Sequence, residues 1–372
     1  MRVDCEKRYL QKAVSLVERS TGKKLALPVL GKVLLEVKNK NLFIKGTNLE
    51  IAVEVGIPSK GGQDGVVAVS GLTLEAHLAG LPETNISLET TNESLILKTP
   101  NSSALIVTET TDDFPLFSRD KKNNNNPIFI VGAPDLVYAL RSVVYASSPS
   151  DIKPELSSVS IVFSEDELIF AATDTFRLAE KRIKYSGADK NKTAGSLALI
   201  PHKNALEIVR IFENQDGLVD MFYSPDEIIL KNDSIFVTTR LLGGTFPSYQ
   251  NIIPKSTSTQ TIVSRDDLIS AVKLATVFSD KFNQISLRII PEDHLFEVGG
   301  RAKDRGEGTA RVEATTEGLP IDIRLNAKYL IDCLNVLKSG DITLGFNGGE
   351  RAAVIRHSGD RSFFYLIMPL NK

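Results

Sequence analysis

The chain has 372 residues, 42% of them hydrophobic and 24% charged, the composition of a globular protein long enough for two or three domains. Its 44 basic and 46 acidic residues give a formal net charge of −2, which argues against a tight DNA binder that neutralises many phosphates. No apolar run approaches the roughly 18 residues of a membrane span, and no secretory signal opens the chain. The two cysteines, Cys5 and Cys333, favour reduced packing residues over a disulfide, so we expect a cytoplasmic protein with no membrane partner.

One order of predicted elements runs along the chain three times: helix, hairpin, helix, hairpin and a last strand that ends near a proline. Apolar residues at three- and four-residue spacing, such as Leu136, Leu140 and Val144, predict the helices. Strands with a two-residue period flank short polar turns and predict the hairpins. In chain order, helices are expected at 6–19, 72–80, 134–147, 203–212, 265–279 and 327–338.

Two linkers separate the three copies. The run at 118–126 is charged and then purely Asn, and a Pro followed by a KSTSTQ run lies at 253–260. The pattern predicts an α+β fold with domains at 1–120, 127–254 and 259–372, in each of which two helices pack on an antiparallel sheet. Such a body has two free sheet edges, and a head-to-tail pairing of two copies would close a ring.

Catalytic and metal sites find little support. The segment Thr21-Gly22-Lys23-Lys24 lacks the first glycine and the Ser or Thr of a phosphate loop. The four histidines fall in different elements and lack metal-ligand spacing. Carboxylates are not clustered with metal spacing, which argues against an intrinsic nuclease. We expect no catalytic residue, no metal and no cofactor.

Several segments resemble one family, the bacterial sliding clamp or DNA polymerase III beta subunit. The run ATDTFRLA at 172–179 resembles the ATDGHRLA of that family. The matching segments elsewhere are LPVLG at 27–31, GTNLE at 46–50, DFP at 113–115, GTFPSY at 244–249 and YLIMPL at 365–370, which resemble LPILGN, GTDLE, DFP, GxFPDY and YVVMPM. The resemblance covers the chain end to end, in order and at family length.

The resemblance implies three tandem copies of the DNA-clamp domain and a ring formed by a head-to-tail homodimer, which encloses duplex DNA of any sequence. It implies a non-catalytic processivity factor of the DNA polymerase III holoenzyme. The implied partners are the DNA polymerase III alpha subunit, the clamp loader and other clamp-motif peptides. A near-neutral charge fits this function, because retention by topology leaves sliding unhindered by strong phosphate contacts.

In this family, partners insert a short peptide into a pocket between the second and third domains. Carried over residue by residue, the pocket is an apolar cleft with one cationic and a few hydrogen-bonding groups: Leu156, Thr173, Thr175, Phe176, Arg177, Leu178, Pro247, Asn251, Ile252, Tyr329, Leu366, Ile367, Met368, Pro369 and Leu370. The family commonly has Gly-His where Thr175 and Phe176 stand, and often an arginine where Asn251 stands. We therefore expect a bulkier and less polar wall at these positions.

The resemblance also gives two DNA contacts, and the predicted helices and free sheet edges give further basic residues and a dimer interface. Lys24 and Lys153 match basic positions of the family, whereas Leu72 and Pro154-Glu155 replace family residues whose contacts cannot be carried over. Further basic residues on the predicted helices are Lys12, Arg141, Lys203 and Arg210. The apolar residues expected at the two free edges are Ala104 and Ile106, in the strand at 103–108, and Val277 and Phe278, at the end of a helix.

The alternative, from a different functional class, is a three-repeat scaffold that binds peptides and does not encircle DNA. A basic stripe on the helical face separates the two hypotheses, because only a clamp needs one. Basic residues lie on or just beyond the predicted helices, whereas many acidic residues fall in turns, and this segregation favours the clamp.

Overall fold

The computed structural model describes residues 1–22, 28–91, 93–115, 117, 127–187 and 195–370. Within these ranges it has six α-helices, and each predicted helix is present with ends at most three residues from the expected ones. None of the described helices is long and apolar enough to cross a membrane. Cys5 and Cys333 are both free and buried, which confirms that they are packing residues.

The first copy of the repeat begins with a strand and an amphipathic helix. Its elements are β1 (Arg2–Glu6), α1 (Lys7–Glu18), β2 (Val33–Lys38), β3 (Asn41–Thr47), β4 (Ile51–Ile57), β5 (Ser59–Gln63), β6 (Gly65–Val69), α2 (Gly71–Ala79), β7 (Asn85–Thr90), β8 (Ser94–Lys98) and β9 (Ser103–Glu109). Helix α1 buries Leu10, Val14 and Val17, a stripe at three- and four-residue spacing. Ser70 caps the start of helix α2, because its hydroxyl accepts a hydrogen bond from the Thr73 amide.

The third copy repeats this order, and the second does so with four described strands, not five, between its helices. The second has β10 (Phe129–Gly132), α3 (Ala133–Val144), β11 (Ser158–Phe163), β12 (Glu167–Thr173), β13 (Arg177–Lys184), β14 (Leu197–Pro201), α4 (His202–Phe212), β15 (Leu218–Ser224), β16 (Glu227–Lys231) and β17 (Ile235–Arg240). The third has β18 (Thr259–Ser264), α5 (Arg265–Thr276), β19 (Gln284–Ile290), β20 (Leu295–Ala302), β21 (Gly306–Arg311), β22 (Ala314–Gly318), β23 (Ile321–Asn326), α6 (Ala327–Val336), β24 (Asp341–Phe346), β25 (Ala353–His357) and β26 (Phe363–Ile367). Ser264 and Asn326 cap α5 and α6 as Ser70 caps α2.

The chain forms two compact units, and the second copy contributes to both. The first unit is Met1–Pro134, Ser186–Lys190 and Glu207–Leu241, and the second is Asp135–Tyr185, Asn191–Leu206 and Leu242–Lys372. The first unit holds a 13-stranded sheet in the order β10-β15-β16-β17-β4-β3-β2-β6-β9-β8-β7-β1-β5. The second holds a nine-stranded sheet, β14-β11-β12-β13-β26-β25-β24-β18-β22, and a four-stranded sheet, β21-β20-β19-β23.

One type of strand pairing joins successive copies inside these sheets. In the first unit the last strand of the second copy, β17, pairs antiparallel with the fourth strand of the first copy, β4. In the second unit the last strand of the third copy, β26, pairs antiparallel with the fourth strand of the second copy, β13. The same pairing therefore occurs twice within one chain.

The glycine-rich hairpin of β20 and β21 lets the end of α5 lie directly on the strands. A Cβ on Gly300 would collide with the backbone of Ala275, and one on Gly308 would lie 2.5 Å from the Phe278 ring. These two glycines are therefore required by packing. As a consequence the outer strand β21 and the last turn of α5 form one surface.

Candidate functional site

Strands β12 and β13 are joined by a tight turn, here called the pocket turn, which starts at Thr173 and ends at Arg177. The Thr173 hydroxyl donates to the Arg177 carbonyl at 2.7 Å. Asp174 Oδ1 accepts from the Phe176 and Arg177 amides, each at 3.0 Å. Thr175 has a φ of 78°, a left-handed conformation that non-glycine residues seldom adopt. The Phe176 side chain, 59% exposed, therefore projects from a firmly bonded backbone.

Arg177 is buried, and its positive charge is neutralised inside the chain. Its Nε donates to Asp174 Oδ2 at 2.9 Å, and its Nη1 donates to Asp332 Oδ2 of α6 at 2.7 Å. The guanidinium carbon also lies 4.2 Å from the centre of the Tyr329 ring. Burial lowers the pKa of the guanidinium, but the bonds to Asp332 and Asp174 outweigh burial and raise it. Arg177 thus supports the pocket turn, and the cationic group expected in the cleft is paired with two carboxylates of the chain.

The floor of the site is an apolar strip on the nine-stranded sheet. Leu178 of β13 lies opposite Leu366 of β26, and both are buried. Successive strand residues point to opposite faces, so Met368 follows Leu366 on the side of the pocket and is partly exposed. Ile367 points to the other face and is fully buried, so its side chain offers no surface to a ligand, contrary to the prediction.

The segment after β26, here called the tail, connects the pocket turn to the four-stranded sheet. The Met368 amide donates to the Phe176 carbonyl at 2.8 Å. Two residues later, the Leu370 amide donates to the Arg324 carbonyl of β23, also at 2.8 Å. The last described residues of the chain therefore fix one side of the site.

A buried hydrogen bond anchors the opposite wall. The Tyr249 hydroxyl donates to Glu180 Oε2 at 2.6 Å, and Arg182 Nε donates to Glu180 Oε1 at 2.8 Å. Burial and the neighbouring Glu180 carboxylate both raise the pKa of the Tyr249 hydroxyl. The short helical turn Gln250–Ile252 follows directly, so Ile252 is presented with most of its side chain exposed.

These elements enclose a pocket of about 530 Å³ within the second unit. Its lining residues are Thr173, Thr175, Phe176, Arg177, Leu178, Asn251, Ile252, Ile253, Pro254, Lys255, Ser256, Asn347, Glu350, Arg351, Ala352, Leu366 and Met368. Phe176, Ile252 and Met368 are large apolar side chains that stay exposed around it. Exposed apolar groups gathered in one concave site are typical of a surface that buries a ligand or partner.

Nine of the residues predicted from the sequence line this pocket, and six do not. The six are Leu156, Pro247, Tyr329, Ile367, Pro369 and Leu370. Tyr329 lies against the Arg177 guanidinium, whereas Leu156 is a buried residue whose carbonyl accepts from the Ser148 amide. The sequence reasoning missed two parts of the wall, Ile253–Ser256 and Asn347–Ala352. The first of these lies in the predicted linker at 253–260, and no sequence signal pointed to the second.

The first copy contains the same turn without the same pocket walls. The Thr47 hydroxyl donates to the Ile51 carbonyl at 2.9 Å, as the Thr173 hydroxyl donates to the Arg177 carbonyl. Leu49 has a φ of 76°, close to that of Thr175. The facing residues differ, because Ala52 lies opposite Thr238 where the second unit has Leu178 opposite Leu366. Exposed Glu50 takes the place of Phe176. Of these two turns, that of the second copy therefore has the larger apolar residues facing it, Leu178 and Leu366.

The predicted DNA-contacting residues differ in how freely they are exposed. Lys12 and Lys153 are exposed, and Lys24 lies outside the described residues. Exposed Lys203 forms an ion pair with Asp151, with 2.9 Å between Nζ and Oδ2. Arg141 is half-buried. Arg210 bonds Glu207 and also donates to the carbonyls of Ser15 and Leu16 in α1, so its guanidinium is engaged within the first unit.

The predicted interface residues also differ in exposure. Ile106 is buried and Ala104 is half-buried, because both face the same side of the sheet as the buried residues of β8. Leu105 and Val107 are exposed on the other face. In the third copy, Val277 is 61% exposed and Phe278 packs on the hairpin. No group of His, Cys, Asp or Glu that could hold a metal ion is found in the part of the chain that the structure describes.

Comparison with known proteins gives one result throughout. Models of the DNA polymerase III beta subunit match in order: the N-terminal domain at residues 1–118, the central domain at 133–248 and the C-terminal domain at 250–371. The chain is 24% identical to the beta sliding clamp of Bacillus subtilis, over 100% of this chain and 99% of that one. It is also 24% identical to that of Synechococcus elongatus, with the same coverage.

Solved structures with the same fold come from the same group of proteins. The Bacillus subtilis DNA polymerase sliding clamp superposes with a TM-score of 0.91 at 22% identity, covering 100% of this chain and 99% of that one. The Thermotoga maritima DNA polymerase III beta subunit gives 0.90 at 21% identity with the same coverage. A Pseudomonas aeruginosa sliding clamp bound to griselimycin gives 0.90 at 21% identity, with complete coverage of both chains.

Proposed function

Because this chain belongs to the DNA polymerase III beta subunit family, we propose that two copies join head to tail into a ring around duplex DNA. The chain is a DNA replication sliding clamp, a non-catalytic processivity subunit. Its partners in this proposal are duplex DNA of any sequence, the DNA polymerase III alpha subunit, the clamp loader and other proteins that carry clamp-binding peptides. We place this function in the cytoplasm.

The ring is inferred from one type of strand pairing, which joins the first copy to the second and the second to the third but has no counterpart for the two outer strands of the chain. Within the chain β17 pairs with β4, and β26 pairs with β13. Among the described strands, β21 has a neighbour on one side only, and β9 pairs with β6 only at its last two residues. The last strand of the first copy and the fourth strand of the third copy therefore lack the partner that their equivalents have. Pairing β9 of one chain with β21 of another supplies both, and repeating it closes a ring.

The pairings within the chain also give the register of the missing one. Gly46 of β3 lies against the end of α1 and pairs with Val53. In the same way, Gly300 of β20 lies against the end of α5 and pairs with Gly308. We therefore align Gly308 with Val53. The hairpins β8–β9 and β16–β17 have equivalent turns. In the first the Thr99 amide donates to the Ser102 carbonyl, and in the second the Asn232 amide donates to the Ile235 carbonyl. This aligns Ala104 with Val237.

Val237 lies opposite Val53 in the pairing of β17 with β4. By equivalence, Ala104 lies opposite Gly308 of the second copy, and Leu105 lies opposite Glu307. Ala104 and Ile106 then face the surface formed by β21 and the end of α5, where Val277 is exposed and Phe278 is half-buried. In this proposed arrangement, all four residues predicted for the interface would lie at the joint between the two copies.

We assign binding of partner peptides to the pocket in the second unit. Phe176, Ile252 and Met368 surround an apolar floor that is large enough for two anchoring side chains. Weak contacts to DNA would come from the exposed lysines, Lys12, Lys153 and Lys203, with retention supplied by the closed ring. A near-neutral chain suits this role, because strong phosphate binding would oppose sliding.

The test is retention on DNA of different topology. Protein placed on closed circular duplex by a clamp loader should remain bound, and a single cut in the circle should release it. Binding to short linear duplex should be weak and should fall steeply with salt. Tight, salt-resistant binding to short linear duplex would contradict the proposal, and equal loss from cut and uncut circles would favour a peptide-binding scaffold.

A further inference from the structure

The pocket turn is tied to α6 by three charged side chains, here called the charged trio: Asp174, Arg177 and Asp332. Asp174 Oδ1 accepts from the Phe176 and Arg177 amides, and Asp174 Oδ2 accepts from Arg177 Nε at 2.9 Å. Arg177 Nη1 in turn donates to Asp332 Oδ2 at 2.7 Å. Two charge-assisted contacts therefore link Asp332 to the amides that shape the turn.

The turn of the first copy forms without such a trio. Asn48 Oδ1 accepts from the Glu50 and Ile51 amides at 3.0 and 2.9 Å, so a neutral amide does there what the Asp174 carboxylate does in the pocket turn. Ile51 stands in the place of Arg177, one residue before the residue that corresponds to Leu178. Neither the arginine nor the carboxylates are therefore needed to make the turn.

The charged trio is also a weak source of stability. The side chains of Arg177 and Asp174 are only 8% and 10% exposed, and for ions this deeply buried the lost hydration offsets most of the Coulombic attraction. Arg177 lines the pocket, whereas Asp332 is not among its lining residues. A role in the geometry of the pocket accounts for charges that the turn itself does not need.

Helix α6 is fixed where it meets Arg177. Its cap Asn326 accepts from the Tyr329 amide, and the buried Tyr365 donates from its hydroxyl to the Tyr329 carbonyl at 3.0 Å. The Tyr329 ring lies 4.2 Å from the guanidinium carbon. Asp332 follows three residues later, on the same side of the helix. Its carboxylate is therefore offered to Arg177 from a fixed position.

From this arrangement we propose that Asp332 is a positioning residue of the peptide site, which holds Arg177, and through it the turn that presents Phe176, in the geometry that a partner peptide needs. The inference rests on the proposed function of the pocket and adds a residue that the peptide does not touch. Without the Asp332 carboxylate the turn would still form, as it does in the first copy, but it would spend less time in the binding geometry. Affinity would then fall in proportion to that time.

The test measures the binding of a fluorescein-labelled peptide with Leu and Phe anchors to the full-length protein by stopped-flow anisotropy. For Asp332→Asn we expect the dissociation constant to rise about five- to tenfold, mainly through slower association, because fewer molecules are competent to bind at any moment. Asp332→Glu keeps a carboxylate and should recover most of the affinity. The matched control is Asp293→Asn, which removes an exposed carboxylate of the third copy that does not line the pocket and should bind as the wild type does.

Amide hydrogen exchange separates positioning from a general loss of stability. In Asp332→Asn the Phe176 and Arg177 amides should exchange faster, whereas the Glu50 and Ile51 amides, which are bonded in the same way in the first copy, should exchange as in the wild type. Wild-type affinity in Asp332→Asn would overturn the inference. A loss of affinity without faster exchange at the pocket turn, or without rescue by Asp332→Glu, would also overturn it. If the wild type itself did not bind the peptide, the proposed function of the pocket would be refuted instead.

Discussion

The register derived for the ring joint can be tested with a pair of cysteines. Residues directly opposite each other in an antiparallel pair have Cα atoms about 4.5–5.5 Å apart, within the roughly 4.4–6.8 Å that a disulfide spans. Leu105 and Glu307 are opposite in this register, and both side chains are exposed in the single chain. The double variant Leu105→Cys, Glu307→Cys should therefore form a disulfide between two copies on mild oxidation. The native cysteines should not interfere, because both are buried.

The matched control moves one cysteine by two residues on the same face. Thr309 is also exposed, and two residues of a strand rise by about 6.6 Å, so its Cα would lie about 8 Å from that of Leu105. That distance is too long for a disulfide without backbone movement. Non-reducing gel electrophoresis should show a covalent dimer for Leu105→Cys with Glu307→Cys and a monomer for Leu105→Cys with Thr309→Cys. The reverse result would refute the register, and no dimer with either pair would refute the pairing of β9 with β21.

Further predictions concern the interface, the pocket and pH. Val277→Glu should raise the dimer dissociation constant at least tenfold, because it removes about 1–2 kcal/mol of apolar burial and adds a charge. Light scattering that still shows a dimer at low micromolar concentration would contradict this. Ending the chain at Ile367 should abolish peptide binding in anisotropy titrations but spare the dimer. Phe176→His should alter the ranking of anchor peptides while the melting temperature stays nearly constant. Burial opposes the charged form of Asp360, but hydrogen bonds from Ser362 and Lys181 outweigh it and lower the pKa from 3.8 to about 2. The contribution of Asp360 to stability is therefore full above about pH 4 and is lost as the pH falls through 2. Denaturant titrations of Asp360→Asn should therefore show a smaller loss of stability over this range.

The repeat and its helices could be predicted from the sequence because their signals are local. Helical spacing and paired hairpins recur within each copy, and the pocket turn is itself a local motif held by Thr173 and Asp174. The strand at β9 was harder to interpret. Its run Ala104-Leu105-Ile106-Val107 is apolar on both faces, so a two-residue period cannot tell the buried side from the exposed one.

The role of Arg177 could not be predicted, because its second carboxylate lies 155 residues away in α6. The same limit applies to the wall formed by Asn347–Ala352, which reaches the pocket only through the pairing of β24, β25 and β26. Sequence patterns describe neighbours along the chain, whereas these groups meet only when the third copy docks on the second.

The hydrogen bonds of the tail have a consequence for the timing of synthesis. The pocket turn is made when the ribosome has translated less than half of the chain, but its Phe176 carbonyl bonds Met368, and the tail then bonds Arg324 through Leu370. Those bonds can form only after Met368 and Leu370 have been translated and have left the ribosomal exit tunnel. A nascent chain that has not reached this point therefore lacks a finished pocket, and a partner that needs one can engage only a chain that has passed it. A chain cut short before Met368 would be a folded molecule without a docking site, which could still join rings but could not recruit partners.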